Sequence, residues 1–286
     1  ASVLAAPTAA LAQGAAWPSR GPIRLVAQFP PGGLVDVVSR LMAPHLQQAL
    51  GQSVVVENRP GAGGLIGTDL VAKQPADGYT RLFNASSQVY MPLVVAKKTY
   101  DAEKDFTPIA QVGYVPLAVV VNPTIPARTL TEFAALARAK PKHYTWATSG
   151  LGTTSHLTEE MINRDLKLDM EIVLYKGAVP QLTDVMGGHV TAAVSPLPGV
   201  TPFLKSGRLR PVAVTSAKRL ASYPDVPTVA ESGMPGFELL SWYGLWGPAG
   251  MPKDVVDKLN AAVAKAVQSP HVKARFAELS FETTEN

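Results

Sequence analysis

Short apolar, β-branched runs alternate along the chain with longer stretches in which apolar positions recur every three or four residues. Residues 23–29 read as a strand, Pro30-Pro31-Gly32-Gly33 as a loop, and 35–50 as a helix with positions 38, 41, 42, 46, 49 and 50 on one face. A buried strand over 53–57, a Gly-rich loop over 60–64, a helix ending at Lys73 and a strand over 80–84 follow. This β-α-β-α-β start predicts a parallel sheet with right-handed crossovers. The alternation resumes with a strand over 115–121 and a helix from Thr129 to Ala139, where Glu132 completes a capping box. A strand over 144–148, a Gly/Ser loop and a helix over 154–166 come next. Strands over 171–175, 191–194 and 210–215 are separated by short helices, 236–246 is apolar and aromatic, and 253–268 is an amphipathic helix. Pro108, Pro116, Pro123 and Pro126 predict that the uncharged stretch 106–127 breaks into strands and turns.

Two βα clusters therefore exist, with the runs at 115–121 and 239–246 read as crossings between them. The expected fold is α/β with two domains, each a mainly parallel sheet flanked by helices. Residues 17–121 plus 243–286 form one and 122–242 the other, an arrangement suited to hinged closure over a ligand.

Composition narrows the function. The 286 residues contain no cysteine, which excludes disulfides, thiolate metal sites and thiol nucleophiles. A net charge of +4 is spread out, the densest basic pairs being Lys97-Lys98 and Lys218-Arg219, so no nucleic-acid footprint is present. Residues 1–19 carry no charge, and Ala10-Leu11-Ala12 forms an A-x-A pattern. Residues 1–16 are expected to be the remnant of a cleaved signal peptide, which places the protein in the periplasm.

Enzymatic signatures are missing. The five histidines form no HxH, HExxH or HxxxH pattern, and neither GxSxG nor GxxxxGK occurs. Gly61, Gly63, Gly64 and Gly67 resemble a dinucleotide fingerprint, but Ile66 stands at the third glycine and the run follows the second strand. Ser155 and His156 are adjacent, and neighbours on a helix point about 100° apart, too far to form a dyad by themselves. No catalytic residue, metal or cofactor is expected.

An anion site is better supported. In open α/β sheets the ligand crevice lies beyond the carboxyl ends of the strands, where helix N-termini present unpaired N–H groups and a positive dipole end. Phe29, Pro31, Gly32, Gly33 and Leu34 occupy such a turn, and two residues without Cβ allow close backbone approach. Asp36, in the first helical turn, suits the helix dipole. Ser86 and Ser87 follow the third strand. Ser149, Thr153, Thr154, Ser155 and His156 form the richest donor loop, and Tyr175, Lys176 and Gly177 end another strand.

The run from Phe29 to Gly33 with Asp36 and Arg40, followed by VVVENRPGAGG (54–64), resembles the periplasmic binding receptors of tripartite tricarboxylate transporters, the Bug-type family. Further matches are DGYT (77–80), KDFTPIA (104–110), TSHL (154–157), YKG (175–177), AVTSAKR (213–219), PDVPTVAESG (224–233) and GPAGMPKDVVDKLN (247–260), so the resemblance runs from about residue 17 to the end. It implies a type II-like Venus-flytrap receptor that takes up a small organic carboxylate and delivers it to membrane permease subunits. It also implies that the 29–36 and 149–156 loops face each other, with backbone amides and ordered waters holding one carboxylate. The resemblance also implies a C-terminal segment that is missing after Asn286.

Leu34 and Val35 replace a usual small polar residue, making that end of the pocket apolar, and Thr191 and Ser195 stand where acids are common. An amino-acid ligand is disfavoured. A di- or tricarboxylate, or an aromatic carboxylate such as terephthalate, is expected, with Ser195 near it. The chain is expected to act as a monomer. A sensor that presents the carboxylate to a membrane signalling partner is the alternative.

Overall fold

The computed structural model describes residues 17–284. The signal-peptide reading of residues 1–16 lies outside the described residues.

Two sheets share one strand. In the first, β1 (Ile23–Ala27) lies between β2 (Val54–Asn58) and β3 (Thr80–Ala85), all parallel. β9 (Leu240–Pro248) runs antiparallel to β3 and to the first part of β4 (Phe106–Val121), and β10 (Glu282–Thr283) also pairs with β4. From Leu117 to Val121 the same β4 enters a second sheet between β7 (Ala192–Pro196) and β8 (Arg210–Val214). β5 (Thr145–Thr148) then joins β7 and β6 (Glu171–Leu174) in parallel. Each lobe keeps its βα strands parallel, β1–β3 in the first and β5–β8 in the second, while β9 runs against the first set and β4 against the second.

β4 also corrects the expectation that prolines interrupt 106–127. Residues 106–121 form one strand, and the ladder to β9 shifts register next to Pro108, where a missing N–H is tolerated. Pro116 is the last partner of β9, at the passage into the second sheet. Turns begin only at Asn122.

Each lobe has its own core. In the first, α1 (Leu34–Leu50) and the returning α8 (Lys253–Val267) pack Val38, Met42, Leu259 and Val263 against Leu25 and Phe83. In the second, successive residues of β4 face opposite sides, as strand geometry requires. Leu117, Val119 and Val121 join Phe133 and Trp146, whereas Ala118 and Val120 join Leu182 and Leu197. Burial on both faces explains why this run is continuously apolar. α4 (Leu130–Ala139) starts as the sequence predicts: Thr129 Oγ1 accepts from the Glu132 N–H, and the Glu132 carboxylate accepts from the Arg128 N–H. Four helices have no counterpart in the sequence reading, or appear in it only as unplaced short helices: α3 (Ser87–Val94), α6 (Ala178–Gly187), α7 (Leu197–Lys205) and α9 (Pro270–Glu278). Pro92 and Pro202 lie inside α3 and α7 and mask their periodicity.

Candidate carboxylate site

Five helices begin at one cavity between the lobes. The first lobe supplies α1, through Gly33, Leu34 and Val35, and α3, through Ser87. The second supplies α5 (Thr154–Asp165), through Thr153, Thr154 and Ser155, α6 (Ala178–Gly187), through Gly177, Ala178, Val179 and Pro180, and α7, through Pro196. Of the five, only α5 has a side-chain cap, Thr153 Oγ1 accepting from the His156 N–H. First-turn N–H groups have no partner within their helix, and each start carries about half a positive charge. The cavity has a volume of about 80 Å³. On that measure it holds about six waters or a solute of similar bulk.

Its walls are apolar: Phe29, Leu34, Leu117, Val179, Pro180, Pro196 and the ring of Tyr243 line it. Among the described residues, none that lines the cavity is charged. Hydroxyls supply the polar side chains. Ser87 Oγ accepts from Gln28 Nε2 at 2.6 Å, and Gln28 Oε1 in turn accepts from Thr68 at 2.7 Å. With its acceptor role filled by Gln28, Ser87 keeps its own proton to donate.

Beneath the cavity the second sheet parts. β5 and β7 pair only at Trp146–Ala192 and Ala147–Ala193. Beyond that, Gln181 Nε2 donates to Ala147 O and Val194 O (2.7 and 3.0 Å), and Glu159 Oε1 accepts from the Val194 N–H at 3.0 Å. The crevice at diverging strand ends is where open α/β sheets bind ligands. Glu159 is fully buried, and burial raises its pKa well above the ordinary carboxylate range.

The profile of the "Tripartite tricarboxylate transporter family receptor" matches residues 38–286. The chain belongs to this receptor family. Three solved structures resemble the receptor over nearly its whole length. R. palustris Rpa4515 with adipate is 35% identical, with a TM-score of 0.89 over 94% of this chain and 90% of that one. MatC from Rhodopseudomonas palustris with bound malate is 31% identical, with a TM-score of 0.88 over 92% and 90%. The periplasmic binding protein BugD is 34% identical, with a TM-score of 0.88 over 93% and 89%. The receptor therefore has the two-domain α/β fold of periplasmic binding proteins.

Of the residues singled out from sequence, Phe29, Pro31, Gly33, Leu34, Ser87, Ser149, Thr153, Thr154, Ser155 and Gly177 line the cavity together. Seven others do not. Gly32 is exposed, and its N–H donates to Asp36 Oδ2. Asp36 is buried and also accepts from Arg40 Nε and Asn58 Nδ2, while Asn58 donates to the Phe29 carbonyl; this carboxylate ties the 29–33 loop together rather than meeting a ligand. Ser86 is committed to Thr154, the two hydroxyls lying 2.5 Å apart. His156 Nε2 faces Glu160 at 3.6 Å, and burial lowers its pKa. Tyr175 donates to Asp184, which together with burial pushes the phenol up to about 12. Lys176 lines a neighbouring cleft with Gly61, Gly63 and Gly64. Ser195 is fully buried below the cavity, and only its neighbour Pro196 reaches it.

Sequence reading missed Leu117, Val179, Pro196, Ser241 and Tyr243. The last two sit on β9, whose apolar pattern signals core. Pro196 ends β7, at the carboxyl strand edge whose loops the sequence reading searched. Asp36 is the loop's anchor, so Asp36→Ala is expected to cost about 1–3 kcal/mol of stability and to weaken about tenfold the binding of any anion held at the loop. Calorimetry alongside a denaturant titration checks both; unaltered binding would separate loop order from recognition.

Among the described residues no helix is long and apolar enough to cross a membrane, and no three His, Asp or Glu side chains cluster as metal ligands.

Proposed function

We propose that this receptor is an extracytoplasmic solute-binding protein. It captures a small organic carboxylate in the cleft between lobes 17–121 plus 243–286 and 122–242, and delivers it unchanged to membrane permease subunits. One observation carries the reading: five helix starts converge on a cavity that no charged side chain lines. Such a cavity favours an anion held by N–H groups and hydroxyls, with no fixed cation whose desolvation must be repaid. The adipate and malate in two similar structures support a carboxylate. The A-x-A pattern near the N-terminus and the periplasmic BugD support export.

The apolar wall further favours a carboxylate with an apolar body, including an aromatic one. A thermal-shift screen of adipate, malate, citrate, benzoate and terephthalate tests this, because a ligand bound only by the folded state raises the melting temperature. At least one acid should raise it by several degrees. No response to any acid, with amino acids stabilising instead, would refute the reading. Leu34→Ser should lower the preference for benzoate over malate by about tenfold, within the range one apolar pocket contact supplies; an unchanged ratio would remove Leu34 from the specificity determinants.

A further inference from the structure

Beside the cavity the lobes meet backbone to backbone, and glycines stand at the contacts. A Cβ on Gly63 of the first lobe would lie 2.9 Å from the Leu151 carbonyl oxygen of the second. One on Gly150 would lie 3.1 Å from the Gly63 Cα. One on Gly152 would lie 2.9 Å from both Met91 Cα and Val94 Cγ2 of α3. At the cavity wall, one on Gly177 would lie 3.2 Å from the Pro30 ring. The hydroxyls of Ser86 and Thr154 meet across the same seam, both buried.

We propose that Gly63, Gly152 and Gly177 determine which solute sizes this receptor accepts, by setting how closely its lobes approach. The inference rests on the carboxylate reading for its choice of probes, though not for the contact itself. Ordinary van der Waals contact for a Cβ begins at 3.4 Å, so a side chain at Gly152 forces the α3 backbone back by at least 0.5 Å. A gap of 0.5–1 Å forfeits about a quarter to a half of each dispersion contact it opens. The cavity draws its walls from both lobes, so the loss falls on a solute short enough to need full closure. A longer solute, already spanning the cleft, loses less. Gly152 and Gly63 select among ligands in this way while Gly152 lines neither the cavity nor the cleft beside it.

Gly152→Ala tests this, with Gly207→Ala as its control. Both glycines have left-handed backbone, φ 66° and 69°, so both variants bear the same conformational cost. Only Gly152 is crowded; a Cβ on Gly207 meets nothing within 4 Å. Calorimetry with malonate, succinate, glutarate and adipate should show Gly152→Ala weakening the shortest acid that the wild type binds at least tenfold and adipate less. Gly207→Ala should leave the ratios unchanged. Equal ratios in all three proteins, or an equal change in both variants, overturns the proposal. A second arm needs no ligand. The chain lacks cysteine, so Ser86→Cys with Thr154→Cys makes an oxidant-trapped disulfide that reports closure. Copper phenanthroline should form it at least tenfold more slowly in the Gly152→Ala background than in the wild type or the Gly207→Ala background. Equal rates overturn the glycine contact. If the wild type binds none of the four acids, the trapping rates still decide the contact, and the thermal-shift screen decides the carboxylate reading.

Discussion

Gly33→Asp is expected to fold and melt as the wild type does, yet to bind whichever carboxylate stabilises the wild type most at least 100-fold more weakly. Position 33 allows this separation because its φ is −75°, a conformation open to any residue. A Cβ there meets only the Pro30 carbonyl oxygen, at an ordinary 3.6 Å. The new carboxylate lies at the start of α1, beside the cavity that Gly33 lines. There it takes the place of a ligand anion at the helix start and repels any second one. A hundredfold loss is about 2.7 kcal/mol, less than the attraction lost when one anion displaces another at close range. Calorimetry with that acid decides it, and Gly33→Asn distinguishes charge from bulk: the amide variant should retain most of the affinity. Equal losses in both would place the ligand elsewhere.

Glu159→Gln is expected to make stability nearly independent of one titration that the wild type cannot avoid. Burial raises the Glu159 pKa, so the folded chain keeps a proton that the unfolded chain releases above about pH 4.3. Stability from this group is therefore complete below that pH and declines as pH rises toward the folded pKa. The slope is about 1.4 kcal/mol per pH unit for one proton. Glutamine has nothing to ionise, and its amide oxygen still accepts from Val194. As pH rises above about 4.3 the variant should gain stability relative to the wild type. Thermal melts of both proteins across that range check it. Parallel curves would show that Glu159 is ionised in the fold.

The legible part of this protein was local. The strand-to-helix turns at 29–34 and 149–155 announce themselves through Gly, Pro and hydroxyl residues, and both line the cavity. The Thr129–Glu132 cap was legible for the same reason, since a cap spans only a few residues. What escaped depends on partners distant in the chain. Asp36 reads from sequence as a partner of the helix dipole, and its bond from Asn58, 22 residues on, shows only in the fold. Glu159 shares a helix with the exposed Glu160, and its burial is decided by Val194, 35 residues away. Nor does local sequence reveal that Ser241 and Tyr243 reach the ligand cavity from a strand whose apolar pattern reads only as core.

The strand common to both sheets has a mechanical consequence. A connection made of flexible loop would let the lobes swing without resistance. β4 is instead hydrogen-bonded to β9 through Pro116 and to β7 from Leu117, with irregular register at Val119–Val120 where it meets β8. It has no slack at the passage, so relative motion of the lobes must flex a laminated strand, as load flexes a leaf spring. Bulges concentrate such bending at a few residues. Any change in the spacing of the lobes therefore bends paired backbone rather than a free linker.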